Sequence, residues 1–136
     1  MEQKDYLLRE TEKIGLVLKA IREKLIGSKD NLAIPFETQV EVTKGILLSE
    51  TSFDIDKFMA LGIEDSNEYL CSFDGFNIEN IELLAECISQ IGFSNKQGKF
   101  KKHLEKALQL YEFCNFKSKT YSFEREANIK AIRSAL

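Results

Sequence analysis

Apolar side chains recur along residues 7–25 at the spacing of an α-helix. Six positions, five of them apolar, follow one another at steps of 4, 3, 4, 3 and 4 residues: Leu7, Thr11, Ile14, Leu18, Ile21 and Leu25. Steps of this size place side chains on one face of a helix. Charged residues such as Lys13 and Glu23 fall between them. The pattern predicts a long first helix whose apolar stripe packs against the core of its own domain.

Three more helices are predicted in the second half of the chain. Asn77 is a good N-terminal cap, and the apolar positions after it are Ile78, Ile81, Leu84, Ala85, Ile88 and Ile91. A basic helix over about 97–116 would turn inward Phe100, Leu104, Ala107, Leu108, Tyr111 and Cys114. Ser122 is a candidate cap for a last helix with Ile129, Ile132 and Leu136 at apolar spacing.

The stretch between these regions is less regular. Pro35 suits the first position of a helix, where a missing N–H costs little. Val40 and Val42 could instead alternate as a strand, but no second convincing strand exists to pair with them, so helix is favoured. Two short helices should follow, one capped by Ser52 or Asp54 and one starting at Asp65 or Ser66.

These patterns predict one all-α domain over residues 1–136, with about six helices in an irregular stack of hairpins or a closed bundle. The positions expected in its core are Ile14, Leu18, Ile81, Leu84, Ile88, Ala107 and Tyr111.

Large and small residues alternate in three stretches: Thr11-x-x-Ile14-Gly15-x-x-Leu18, Ile81-x-x-Leu84-Ala85-x-x-Ile88 and Ala107-x-x-x-Tyr111-x-x-Cys114. They resemble the two helices of a tetratricopeptide hairpin. The spacing departs from that repeat, because Ala107 follows Ala85 by 22 residues, about ten more than the repeat allows. The closing proline is also absent, with Lys119 near its place.

The whole chain resembles a small bacterial family of tetratricopeptide-like helical proteins, through DYLLRETEKIG, FNIENIELLAE and KTYSFERE. The resemblance spans most of the chain and implies no known activity. It implies a right-handed stack of helix pairs whose concave side binds peptides or helices.

Charge is distributed unevenly. Residues 50–90 carry ten acidic side chains and only Lys57, whereas residues 91–136 carry ten basic and four acidic ones. We expect the two stretches to lie side by side and neutralise each other. The carboxylates of Glu79, Glu82 and Glu86 share one helical face and are expected to be solvated.

Residues with familiar catalytic or metal-binding spacing are missing from the sequence. The cysteines Cys71, Cys87 and Cys114 are far apart and form no CxxC pair, so reduced and mostly buried thiols are expected. His103 has no close Cys or His and is expected to be a solvated surface side chain. No glycine-rich phosphate loop occurs. We therefore expect no cofactor and no metal.

The sequence favours a non-enzymatic protein-interaction module that binds a protein or peptide, as a monomer or homodimer. The alternative is weak nucleic-acid binding through residues 96–106, whose candidate contacts are Lys99, Lys101, Lys102 and Lys106. An enzyme whose type the sequence does not reveal is a third hypothesis. No apolar run reaches the roughly 20 residues that span a bilayer, and the charged N-terminus lacks a signal-peptide pattern. We therefore expect a cytoplasmic protein without a membrane partner.

Overall fold

The computed structural model describes residues 2–28, 33–94 and 101–136. Within these ranges the chain forms α-helices and no strand. The helices are α1 (Glu2–Ser28), α2 (Phe36–Thr51), α3 (Ile55–Ala60), α4 (Ile63–Cys71), α5 (Ile78–Phe93), α6 (Lys101–Ser118) and α7 (Phe123–Ala135). The all-helical expectation is confirmed. None of the described helices combines the length and apolar content needed to cross a membrane.

Helix α5 lies at the centre of the fold. It packs mainly against α6 and α1, while α2 packs on α1 and α7 packs on α6 and α5. This position explains the composition of α5, because a helix covered on most sides must be apolar on most sides. All seven positions expected in the core are buried: Ile14, Leu18, Ile81, Leu84, Ile88, Ala107 and Tyr111.

The start of α5 is fastened to α1 by polar contacts. The side chain of Asn77 accepts a hydrogen bond from the backbone N–H of Asn80 at 2.9 Å, which caps the helix as expected. The buried amide of Asn80 in turn donates to the carbonyl oxygens of Thr11 at 2.9 Å and Gly75 at 2.7 Å. Asn80 therefore satisfies a carbonyl of α1 and one of the preceding loop at once.

Two glycines mark close approaches, one between the loop before α5 and α1, the other between α5 and α6. A Cβ added at Gly75 would lie 2.5 Å from Cδ1 of Ile14 and 2.8 Å from the carbonyl oxygen of Glu10. A Cβ at Gly92 would lie 2.6 Å from the side chain of Leu104, where α5 meets α6. Both positions need the absence of a side chain for packing.

The short helices α3 and α4 enclose an aromatic cluster around Phe53. The ring of Phe53 lies 5.1–5.3 Å, centroid to centroid, from four other rings: Phe58, Tyr69, Phe73 and Phe76. The Tyr69 hydroxyl accepts a hydrogen bond from the backbone N–H of Asp54 at 3.0 Å. Because such ring pairs add to the stability that apolar burial supplies, this cluster fixes two helices that are too short to be stable alone.

Several expectations about single elements are corrected. The possible strand at Val40 and Val42 is wrong, because both residues lie inside α2. Helix α4 starts at Ile63, two residues before the expected start at Asp65. Leu7, placed in the first apolar stripe, is exposed, because no described helix covers the first turns of α1. Phe100 lies outside the described residues.

Candidate functional site

The basic residues at the start of α6 divide into two kinds. Lys101 and Lys102 are exposed, and no carboxylate of the described ranges lies within ion-pair distance of either ammonium. Both charges therefore face solvent in the described part of the chain. Lys99, also expected at this surface, lies outside the described residues.

Lys106 belongs to the same basic stretch but is buried. Its ammonium donates a hydrogen bond to the carbonyl oxygen of Leu61 at 2.7 Å and lies 4.8 Å from the ring centroid of Phe58. Burial lowers the pKa of Lys106, since the charged form loses hydration. This lysine fastens the linker between α3 and α4 to the side of α6, and its hydrocarbon stem forms part of the wall there.

A cavity of about 470 Å³ opens where that linker meets α6. We call it the linker–α6 groove, and its walls are Met59, Leu61, Gly62, Ile63, Lys102, Glu105, Lys106, Leu108, Gln109 and Glu112. Ile63 is 64% exposed on one rim. The groove therefore presents an apolar strip that a row of polar side chains borders, an arrangement typical of binding sites.

The linker wall of the groove is held in place by hydrogen bonds to α6. The amide of Gln109 donates to the hydroxyl of Ser66 at 2.9 Å, and that hydroxyl donates to the carbonyl oxygen of Ile63 at 3.0 Å. Together with Lys106, these contacts join both ends of the short apolar segment 61–63 to one helix. The groove is thus a built feature with fixed walls rather than a gap between two loosely packed helices.

Charge changes sign along the groove. Lys101 and Lys102 lie at the first turn of α6, and Glu105 and Glu112 lie one and three turns further along the helix. Glu112 accepts a hydrogen bond from Arg133 at 3.2 Å, and both side chains of that pair are more than half exposed. The positive end is therefore free of described partners, whereas the negative end is partly neutralised.

The expected row of solvated carboxylates on α5 is wrong at two of its three positions. Glu79 is exposed, but Glu82 and Glu86 are half-buried. Glu82 binds the buried guanidinium of Arg125 on α7, and Glu86 binds Arg22 on α1 at 2.9 Å. The hydrogen bond with Glu86 raises the pKa of Arg22. These pairs join α5 to its two neighbours, and the Glu82–Arg125 pair links the acidic stretch to the basic one.

A second cavity of about 250 Å³ lies between α1, α5, α6 and α7. The Arg22–Glu86 pair lines it, together with the hydroxyl of Tyr111, which accepts a hydrogen bond from Asn128 at 3.2 Å. Burial raises the pKa of that hydroxyl. Four polar groups of this cavity thus form two pairs, Arg22 with Glu86 and Tyr111 with Asn128. A third cavity, of about 330 Å³, lies between α1 and the start of α5.

The thiols and the single histidine differ in their exposure to solvent. Cys87 and Cys114 are buried, Cys71 is exposed and all three are free. His103 is half-buried, so the expectation of a fully solvated side chain is wrong. Burial lowers its pKa, and the nearby charge of Lys44 adds to the effect. Among the described residues, no three His, Cys, Asp or Glu side chains come together as a metal site would require.

Comparison of the chain with protein-family models, with curated proteins and with solved structures finds no match. The geometry of the linker–α6 groove is therefore the main support for a functional proposal.

Proposed function

We propose that the protein is an interaction module that binds a segment of a partner protein in the linker–α6 groove. The observation that carries this proposal is the apolar strip of the groove, which Lys102 borders. Neither Lys102 nor its neighbour Lys101 has a carboxylate partner in the described part of the chain. The strip would take apolar side chains of the partner. The two lysines would take its carboxylates.

Four apolar side chains of the groove would contact the partner. They come from α3, the linker, α4 and α6 and are Met59, Leu61, Ile63 and Leu108. Contacts of this kind supply most of the affinity when a helix or extended segment lies in a groove. Ile63 projects furthest into solvent and has the most surface to lose. It is the first candidate for a residue whose truncation weakens binding strongly.

The charges supply orientation. A segment that lies along α6 would meet two cations at one end and the carboxylates of Glu105 and Glu112 further along. Its acidic residues would therefore lie near the start of α6 and its basic residues near Glu112. Exposed charges of this type influence the choice of partner and the rate of association more than the affinity.

We also propose that α5 and α6 form a tetratricopeptide-like hairpin. Ala85 and Ala107, the two small positions in the resemblance, are both fully buried, which supports a close approach of the two helices. The groove would then be the site at which this hairpin and the α3–α4 pair bind a peptide together.

A display selection tests the proposal. Random peptides are selected on the wild-type protein and counter-selected on the variant Ile63→Glu with Lys102→Glu. Enriched peptides should combine two or three apolar residues with an acidic end. Their affinity, measured by fluorescence anisotropy, should fall at least about tenfold for either single variant, in line with the loss of one central interface residue.

Leu8→Glu is the matched control, since Leu8 is 60% exposed and lies on α1, outside the three cavities described above. It should leave the affinity unchanged. Failure to enrich any peptide, or peptides that bind the groove variants as well as wild type, would contradict the proposal.

Weak nucleic-acid binding through residues 96–106 is the second candidate. It is favoured by the charges of Lys101 and Lys102, for which the described ranges offer no carboxylate partner. A filter-binding titration with single-stranded and duplex DNA and RNA at two salt concentrations tests it. Binding that salt weakens steeply and that Lys101→Glu with Lys102→Glu abolishes would support this function. Glu105, on the next turn, would act against it.

A further inference from the structure

Three aromatic rings are exposed at the junction of α6 and α7, one from the end of α6, one from the turn and one from the start of α7. Phe116 is 76% exposed, Tyr121 is 69% exposed and Phe123 is 82% exposed. The rings of Tyr121 and Phe123 lie 4.9 Å apart in an edge-to-face arrangement. Large side chains exposed together in this way mark a surface that meets another apolar phase. We call residues 116–123 the aromatic tip.

The backbone of the aromatic tip is held by hydrogen bonds from the first turn of α7. The buried guanidinium of Arg125 donates to the hydroxyl of Ser118 at 3.1 Å and to the carbonyl oxygen of Thr120 at 3.4 Å. Ser122 caps α7 by accepting from the backbone N–H of Arg125 at 3.2 Å. These contacts hold the backbone of the turn against the start of α7, from which the Phe123 ring projects.

Two lysines lie between the rings in the chain. Lys117 and Lys119 are both exposed, and the ammonium of Lys117 lies 5.6 Å from the ring centroid of Phe113. Lys119 adopts a φ of 55°, a conformation in which glycine would be less strained. Residues 116–123 contain these two lysines and no acidic residue, so the tip itself carries a positive charge although the chain as a whole carries −3. The exposed carboxylate of Glu124 follows the tip directly.

We propose that the aromatic tip binds an anionic membrane surface, with the rings at the level of the headgroups and the lysines on lipid phosphates and carboxylates. Aromatic side chains favour this interface, and anionic lipids attract lysines close to the surface. No membrane-spanning helix is needed, because binding of this kind is peripheral. The proposal revises the expectation of no membrane partner and is independent of the linker–α6 groove.

Other occupants fit the aromatic tip less well. A symmetric dimer through the tip would bring the two lysines of one copy close to those of the other, and such like charges repel. A peptide needs a groove to cover its side chains, and none of Phe116, Tyr121 and Phe123 lines a cavity described above. A flat, negatively charged surface with an apolar interior matches both the projecting rings and the cations.

Flotation with vesicles tests the proposal. Vesicles of phosphatidylcholine with about 30% phosphatidylserine are compared with pure phosphatidylcholine, since only the former are anionic. Wild type should float with the anionic vesicles. Phe116→Ser with Phe123→Ser, and separately Lys117→Glu with Lys119→Glu, should each reduce the bound fraction at least about tenfold, because apolar burial and charge attraction both set the affinity.

Leu8→Ser with Leu16→Ser removes two exposed apolar side chains from α1 and should bind like wild type. Circular dichroism of every variant shows whether the fold is retained. The chain has no tryptophan, so Phe123→Trp gives a unique probe whose emission should shift to the blue on anionic vesicles.

Three results would overturn the proposal. One is a Phe123→Trp emission that the vesicles do not change, together with no flotation of wild type. Another is concentration-dependent self-association in sedimentation that Phe116→Ser with Phe123→Ser removes, which would make the tip a contact between copies. The third is equal binding of anionic vesicles by wild type and by Lys117→Glu with Lys119→Glu, which would show that the lysines do not contact the lipids.

Discussion

Arg125 and Glu82 join α7 to α5 through a single carboxylate oxygen. Both Nε and Nη2 of Arg125 donate to Oε1 of Glu82, the first at 2.9 Å. The Arg125 side chain is only 4% exposed, and its Nη1 donates to Asn115, Ser118 and Thr120. A buried charge with so many partners makes the last helix depend on one residue of the central helix.

The first prediction concerns this pair. Glu82→Gln should lower the free energy of unfolding by about 3–5 kcal/mol, because it leaves the Arg125 charge buried without a counter-charge. Urea unfolding of purified variants measures the change. Glu112→Gln is the control, since the Glu112–Arg133 pair is exposed and should be worth about 0–1 kcal/mol. Equal effects of the two substitutions would show that the Arg125 site is open to water.

A second prediction concerns the core. Leu84 is fully buried on α5, so Leu84→Ala should cost about 2–5 kcal/mol through lost burial and the cavity that remains. Leu16→Ala removes the same atoms from an exposed position and should change stability by about 0.5 kcal/mol at most. Thermal unfolding of both variants beside wild type tests the difference. Similar melting temperatures would place Leu84 outside the core.

Much of the fold could be predicted from the sequence because its helices are strongly periodic. The stripe from Ile14 to Leu25 and the apolar series in α5 depend only on local spacing, which chain geometry converts directly into a buried face. The same local spacing wrongly includes Leu7 in the buried face of α1, although Leu7 is exposed. Periodicity identifies the face of a helix, but whether another helix covers the end of that face depends on the lengths of its neighbours.

The candidate site could be predicted only in part. Lys101 and Lys102 belong to a visible basic run, whereas the apolar wall at Leu61 and Ile63 meets α6 through a contact 45 residues away in sequence. Residue type alone also places Lys106 on the surface, although a backbone carbonyl holds it in the interior. The partners of Glu82 and Glu86 come from α7 and α1, so their burial depends on tertiary packing that no local pattern encodes.

A third prediction compares the effects on stability of replacing a tightly packed glycine and an exposed helical glycine by alanine. Gly75→Ala should destabilise the fold by about 1–3 kcal/mol, because the new methyl group would overlap Ile14 and the backbone of Glu10. Gly45→Ala should instead stabilise it by about 0.5–1 kcal/mol, since Gly45 lies inside α2 with nothing within 4 Å of the new atom. Opposite signs in chemical unfolding are expected. Shifts of the same sign would contradict the packing at one site or the other.

A fourth prediction concerns thiol reactivity. Burial raises the pKa of Cys87 and of Cys114 to about 12 each. At neutral pH both should react slowly with a thiol reagent, because the thiolate is the reactive form. Exposed Cys71 should react first, so native protein should show one fast thiol and two slow ones. In denaturant all three should react together, and a second fast thiol in the native protein would contradict the burial.

The same pKa values set a pH dependence of stability. Below about pH 8.5, the ordinary pKa of a cysteine, folded and unfolded chains both keep their thiol protons. Above it the unfolded chain releases protons that the folded chain retains, so stability should fall as the pH rises from about 8.5 towards 12. Urea unfolding at two pH values measures the slope. Cys87→Ala with Cys114→Ala should reduce that slope, although the variant is less stable throughout.

The last prediction separates lysines that are paired from lysines that are free. Lys44 is largely buried and donates to Asp56 at 2.9 Å and to Glu41 at 3.3 Å. Partial burial opposes the charge of Lys44, but its hydrogen bonds with Asp56 and Glu41 raise its pKa above the ordinary value. Lys44→Glu should therefore destabilise the fold by about 1 kcal/mol or more.

Lys101→Glu with Lys102→Glu should leave stability unchanged or raise it by a few tenths of a kcal/mol. The described residues offer no carboxylate for these lysines, and acidic side chains in the first turn of a helix interact favourably with its dipole. Urea unfolding at low and high salt measures both variants, with salt reducing the penalty of Lys44→Glu because it screens exposed charges. A clear loss of stability in the double variant would mean that acidic neighbours already occupy Lys101 and Lys102. Those cations would then be unavailable to a partner, and the polar end of the linker–α6 groove would have a structural role instead.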